Sequence, residues 1–204
     1  MKALLVVDLQ NDFLPNGTLA VANGNEIIDV INKIQERFDI VIATQDWHPL
    51  NHQSFASQHS ENTVFDVINL NGIQQVLWPN HCVQGTWGAQ FAKDWNSNCV
   101  QAVFRKGTDV LIDSYSGFYD NGIGNGTGLV GYLKDKKVTE VYVCGLAADF
   151  CVFYTARDAF KEGFETYYLE FATKAISESG YEEAKSAMKN MGIKLLLNKE
   201  DLKV

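Results

Sequence analysis

The sequence predicts a three-layer α/β/α sandwich around a mainly parallel, doubly wound sheet. Two observations carry that prediction. Six short runs are apolar on consecutive residues rather than alternate ones, as expected of strands covered on both faces. Helical patterns lie between several of these runs, and strands alternating with helices imply right-handed crossovers within one sheet.

The first run, Ala3–Val7 (ALLVV), lies at the N-terminus. Residues 25–38 follow, where Ile27, Ile28, Ile31, Ile34 and Phe38 keep to one helical face. The second strand is Ile40–Thr44 (IVIAT) and the third Val100–Phe104 (VQAVF). Residues 128–137 (GLVGYLKDKK) form a weaker helical pattern before the fourth strand, Glu140–Gly145. Residues 151–163 read as a helix closing on Gly163. The fifth strand is Thr166–Glu170 (TYYLE). In residues 179–192, Ser179 and Glu182 fit a capping box and Gly192 a stop. Ile193–Leu197 (IKLLL) is the last strand. The span 49–90 carries no such element and reads as an inserted loop or lid region of one domain, residues 1–204.

Composition bounds the function. A chain of 204 residues, 46% hydrophobic, can bury one sizeable core. The net charge is -8 with no basic run, which argues against nucleic-acid binding. The apolar N-terminal stretch is too short for a signal peptide, since Asp8 interrupts it, and no run is long enough to span a membrane. Four cysteines without regular spacing do not make a disulfide framework, so the reading is a reduced, cytoplasmic protein.

The reactive residues gather at strand ends. Asp8 follows the first strand, Asp46 and His48 the second, Lys106 the third and Cys151 the fourth. Ligands of open parallel sheets bind beyond the carboxyl ends of the strands. Any one of these residues alone is an ordinary solvated loop residue; together they supply a nucleophile, an acid/base and a cation. Cys144 sits in mid-strand and reads as core filling, and Cys82 and Cys99 have no activating context. Cys151 differs, because Asp149 is placed to cap a helix starting beside it. A free thiol is only ~3% ionised at pH 7, and a helix end contributing up to ~2 kcal/mol would bring it to about half. Asp8 is the best-placed base. Lys106 offsets its charge, so the three would share a proton as one coupled unit. The small residues of GLAAD let the Ala147 and Cys151 amides reach an oxyanion.

All four histidines fall in one segment. DWHPLNH sets Asp46 and His48 two apart, and Pro49 biases His48 towards an extended backbone in which both face one side. His52 is close behind and His81 follows in WPNHC, while His59 lies in a polar stretch and is left out. Two or three imidazoles with one carboxylate suit one divalent ion, Zn²⁺, Fe²⁺ or Mn²⁺.

These stretches, in this order, resemble the nicotinamidase branch of the isochorismatase-like cysteine hydrolases. The motifs are VVDLQNDF, TQDWHPLNHQSFASQH, LWPNHCVQGTWGA, FRKGTD with DSYSGF, and GLAADFCV, spread over nearly the whole chain. The resemblance implies the isochorismatase-like hydrolase fold, with Asp8, Lys106 and Cys151 as a catalytic triad. It also implies a cis peptide between Leu146 and Ala147 and oxyanion donors at the Ala147 and Cys151 amides. Asp46, His48 and His81 would be metal ligands, with His52 a fourth in some members only. Phe13 and Trp78 would enclose a pyridine ring. The implied reaction is hydrolysis of nicotinamide, and of pyrazinamide, to the acid and ammonia; homo-oligomerisation stays open. Two features depart from the family pattern: LEFATKAIS (169–177) lacks an expected Asp and small residues, and Phe150 replaces a common Tyr. Two rival readings remain: the same triad acting on a ureido or carbamoyl amide, or a non-catalytic metal or thiol sensor.

Overall fold

The computed structural model describes residues 1–122 and 124–203. In chain order the elements are β1 (Lys2–Val7), α1 (Glu26–Ile34), β2 (Ile40–Asp46), β3 (Val67–Leu70), β4 (Ile73–Val76) and β5 (Val100–Lys106). There follow α2 (Leu129–Asp135), β6 (Glu140–Leu146), α3 (Phe153–Lys161), β7 (Glu165–Lys174), α4 (Glu178–Met191) and β8 (Lys194–Leu196). Six strands form one sheet in the order β5-β2-β1-β6-β7-β8, and every neighbouring pair is parallel. The predicted α/β architecture is the observed one, with a sheet wholly rather than mainly parallel.

Both faces of the central strands β2, β1 and β6 are covered, which is why they read as continuous apolar runs, whereas the edge strands β5 and β8 are only half-buried, against the expectation for all six. Along β1, Leu4 and Val6 face one core, with Ile27, Ile28, Ile31 and Ile34 of α1. Ala3, Leu5 and Val7 face the other, with Leu129 and Leu133 of α2, Ala156 and Ala159 of α3 and Met188 of α4. Central β1 and β6 are therefore sealed from water. Among the described residues no helix is long and apolar enough to cross a membrane.

Four local expectations change. The first helix ends at Ile34 and tightens into a 3₁₀ turn over Gln35–Arg37, leaving Phe38 outside it but still packed on the same core. α4 is capped by Ser177, whose hydroxyl accepts the Gly180 N–H at 3.2 Å. The capping box expected from Ser179 and Glu182 does not form, because Ser179 already lies within the first turn. β7 extends through most of the atypical 169–177 segment. Its register against β6 steps from Val143↔Tyr168 to Gly145↔Thr173, five residues against two, so β7 bulges, and Thr173 Oγ1 donates to Gly145 O at 2.7 Å beyond the step. Finally, the 49–90 span contains the antiparallel β3–β4 hairpin. Its two-residue turn is Asn71–Gly72, with φ of 54 and 87, the left-handed pair that a twisted hairpin favours.

Beyond β6 the chain enters one π-type turn, Ala148–Val152, which runs on into α3. Asp149 is not its cap. It lies past the cap position, held by Ala147, and its carboxylate accepts the N–H groups of Ile176 and Ser177, both at 2.9 Å. The turn is thereby tied to the β7–α4 connection.

Candidate active site

The sheet register brings the polar residues together. Asp46 and Lys106 are direct partners at the ends of β2 and β5. Asp8 follows β1 in a left-handed conformation (φ 45), where its N–H meets Thr44 Oγ1 and that hydroxyl donates to Asp8 Oδ1 at 2.6 Å. Lys106 Nζ is the hub: it lies 2.9 Å from Asp8 Oδ2, 2.5 Å from Asp46 Oδ1, 2.8 Å from Ser114 O and 3.4 Å from Cys151 Sγ. Asp8 Oδ2 pairs with the ammonium by charge and has no other hydrogen-bond partner. Asp8, Lys106 and Cys151 are all buried.

Burial decides how these groups titrate. It pushes Asp8 up, Lys106 pulls it down, Asp46 pushes it up again, and the result is about 6. Burial would lower Lys106, but Asp46 and Asp8 outweigh it and hold the ammonium protonated well above its ordinary range. The Cys151 thiol is pushed well above its usual value by burial; Lys106 opposes, and Asp8 and Asp46 add to the rise. The lowered thiol expected from a helix end is therefore not what this site does. Desolvation disfavours the thiolate, and the two carboxylates oppose Lys106. The other cysteines are free, and burial raises the Cys144 thiol as well.

The histidines form a second cluster against the same carboxylate. His48 Nδ1 donates to Gly107 O at 2.9 Å and His81 Nδ1 to Pro79 O at 2.8 Å. Their Nε2 atoms then face Asp46 Oδ2, at 3.6 and 3.8 Å. His48 Nε2 is fully buried with no hydrogen-bond partner. Gly107 permits this approach, since a Cβ there would stand 2.3 Å from the His48 ring. Burial opposes a charge on His48, but Asp46 beside it favours one and prevails, so positive charge is stabilised at this point, and Asp46, His48 and His81 offer ligand atoms within 4.8 Å of one another. The buried carboxylates of Asp8 and Asp46 both lie against the buried Lys106 ammonium. His52 is not in that group but offers a ligand atom within 4.8 Å of those of His48 and Asp113; Ser54 N–H donates to its Nδ1 at 3.2 Å, and its Nε2 faces Ile112 O at 3.3 Å.

Above the thiol lies a pocket lined by Phe13, Leu19, Trp78, Tyr115, Phe150 and Ile176, with Asp46, His81, Asp113, Ala147 and Cys151 at its polar end. Its empty space is about 320 Å³ counting the mouth, yet only about 20 Å³ admits the centre of a water, so it is a narrow slot. Trp78 meets Phe150 edge-on at 4.9 Å and Phe13 meets His81 edge-on at 5.7 Å. The Leu146–Ala147 peptide is cis. Sequence reasoning placed Phe13 and Trp78 here but missed Leu19, Asp113, Tyr115 and Ile176. Asp113 and Tyr115 lie inside the quoted DSYSGF stretch, where the polar spacing was the available signal.

A sequence profile of the isochorismatase domain matches residues 2–200. The chain belongs to the isochorismatase family. Within it, the chain is 48% identical to the nicotinamidase of Acinetobacter baylyi over 178 residues, covering 87% of this chain and 83% of that one. A solved nicotinamidase/pyrazinamidase of Acinetobacter baumanii superposes with a TM-score of 0.96 at 46% identity, covering 98% of both chains. The zinc complex of a Pyrococcus horikoshii pyrazinamidase superposes at 0.78, with 39% identity over 97% of this chain and 99% of that one. Both superpositions cover nearly the whole of this chain.

Proposed function

We propose that this chain is a nicotinamidase, hydrolysing the carboxamide of nicotinamide to nicotinate and ammonia. The observation that carries the reading is the contact of Asp8, Lys106 and Cys151 at the floor of a narrow aromatic slot, in a chain 48% identical to a nicotinamidase. The sensor reading required a missing base or cation, and both lie against the thiol. No feature of the slot favours a ureido or carbamoyl amide.

The chemistry follows from the protonation states. The resting pair is a thiol and a carboxylate. Asp8 takes the Sγ proton as sulfur attacks the carboxamide carbon, and Lys106 stays charged to stabilise the anionic pair. The Ala147 and Cys151 amides hold the oxygen as it becomes negative, a contribution of ~2.7–4 kcal/mol per donor. Asp8 returns the proton to nitrogen, the C–N bond breaks and ammonia leaves a thioester. Water then gives a proton to Asp8 and attacks the thioester; the acid departs, and the proton goes back to sulfur. Phe13 and Trp78 wall the ring.

Asp46, His48 and His81 would hold one divalent ion, for which zinc is the precedent in the Pyrococcus horikoshii structure. When bound, the ion supplies a Lewis-acidic anchor that orients the ring nitrogen. Ammonia release from nicotinamide by the purified protein tests the reading, and Cys151→Ala should lose it by ~10⁴-fold or more, as for other triad nucleophiles. Turnover that survives in Cys151→Ala would sink the mechanism.

A further inference from the structure

One buried carboxylate at the site has no role in the reaction above. Asp113 lines the polar end of the slot and is 3% exposed. Its Oδ1 accepts the Ser114 N–H at 2.7 Å and its Oδ2 accepts from Gln75 Nε2 at 3.0 Å. A carboxylate has about four lone-pair sites, so roughly two remain unused. Asp113 also offers a ligand atom within 4.8 Å of those of His48 and His52. His48, whose buried Nε2 has no hydrogen-bond partner, belongs to both this group and that of Asp46 and His81.

Gln75 is itself out of place by ordinary rules. The β3–β4 hairpin is mostly exposed or half-buried, yet Gln75 is 2% exposed. Its amide nitrogen also lies 3.1 Å from Tyr115 Oη, and that oxygen accepts from Trp78 Nε1 at 3.3 Å. A polar side chain buried from a surface hairpin and spent on a carboxylate fixes where that carboxylate stands.

We infer that Asp113 is a fourth residue of the cation centre, a second carboxylate that balances the ion's charge without ligating it, and that Gln75 is its positioning residue. The inference rests on the cation site of Asp46, His48 and His81 proposed above. It also gives the hairpin a function: β4 delivers the group that sets how tightly the ion is held.

Zinc affinity tests this, measured on the purified chain by competition with a chromophoric chelator. Asp113→Asn, which keeps the shape and loses the charge, should bind Zn²⁺ about 10–100-fold more weakly, the usual effect of losing an outer partner of a metal site. Asp113→Glu should restore most of the affinity. Gln75→Leu should weaken binding in wild type but add nothing in the Asp113→Asn background, since it acts through Asp113. Circular dichroism before loading separates these effects from misfolding, and Gln75→Leu on the hairpin leaves both cores intact. Wild-type affinity retained in Asp113→Asn would overturn the inference alone. A wild type that binds no Zn²⁺ would overturn the cation reading beneath it as well, so the two failures are distinguishable.

Discussion

In the proposed reaction Cys151 and Asp8 are matched because burial acts on both in the same direction. The thiol is held up and the carboxyl sits at about 6, so at neutral pH the proton stays on sulfur while its acceptor is ionised. A general base tuned near the working pH is the arrangement that transfers protons best. The sign of the pH dependence follows: kcat/KM for nicotinamide should be flat above about pH 6.5 and fall roughly tenfold per unit below about pH 6 as Asp8 protonates. Lys106 is the strongest influence lowering Asp8, so Lys106→Met should move that acid limb to higher pH as well as reduce the rate. A pH–rate profile on both proteins checks this, and an unmoved limb in Lys106→Met would separate the two residues. Asp8, Lys106 and Cys151 were legible in the sequence, because strand ends announce themselves as polar residues after apolar runs. The direction of the Cys151 shift was not, since desolvation depends on what covers the thiol in three dimensions.

At the scale of elements, the turn carrying Cys151 is fixed from outside itself. Asp149 binds two backbone N–H groups of the β7–α4 connection, at Ile176 and Ser177, and Ile176 is also a wall of the slot. Asp149→Ala would leave both donors unpaired at a half-buried site, at a cost of about 1–3 kcal/mol. It should also raise KM, because Ile176 loses its anchor. Urea unfolding and steady-state kinetics on one preparation read both effects, and a stability within ~0.5 kcal/mol of wild type would dismiss the clamp. Asp149 read as a helix cap because capping residues and loop clamps share one chemistry, acceptance of N–H groups, and only the fold says whose. The central strands β1, β2 and β6 were legible for the opposite reason: burial on both faces writes a continuous apolar run that needs no partner to be seen. The hairpin escaped because its strands are four residues each and face solvent, although Asn71–Gly72 between apolar residues was a usable sign. The bulge in β7 left no such sign, since its extra residues are accommodated by register alone.

For the whole molecule, one central strand is decisive. β1 lies between β2 and β6, so the ends of β2, β1 and β6, together with β5 beside β2, deliver Asp46, Asp8, Cys151 and Lys106 to one edge. That convergence sets two buried carboxylates, Asp8 and Asp46, against one ammonium, and a bound cation would stabilise the arrangement. The metal-free protein should therefore melt below the loaded one. At a zinc concentration 100 times the dissociation constant, binding to the folded state alone adds about 2.7 kcal/mol. For a chain of this size each kcal/mol raises Tm by about 2–4 °C, so saturating zinc should raise the metal-free melting point by roughly 5–11 °C. Alanine at His48 removes the orphaned ligand and should abolish most of that rise while leaving both hydrophobic cores untouched. Calorimetry on chelated and zinc-loaded protein reads the difference directly. Equal melting temperatures would mean that Asp46, His48 and His81 hold no ion in the folded state.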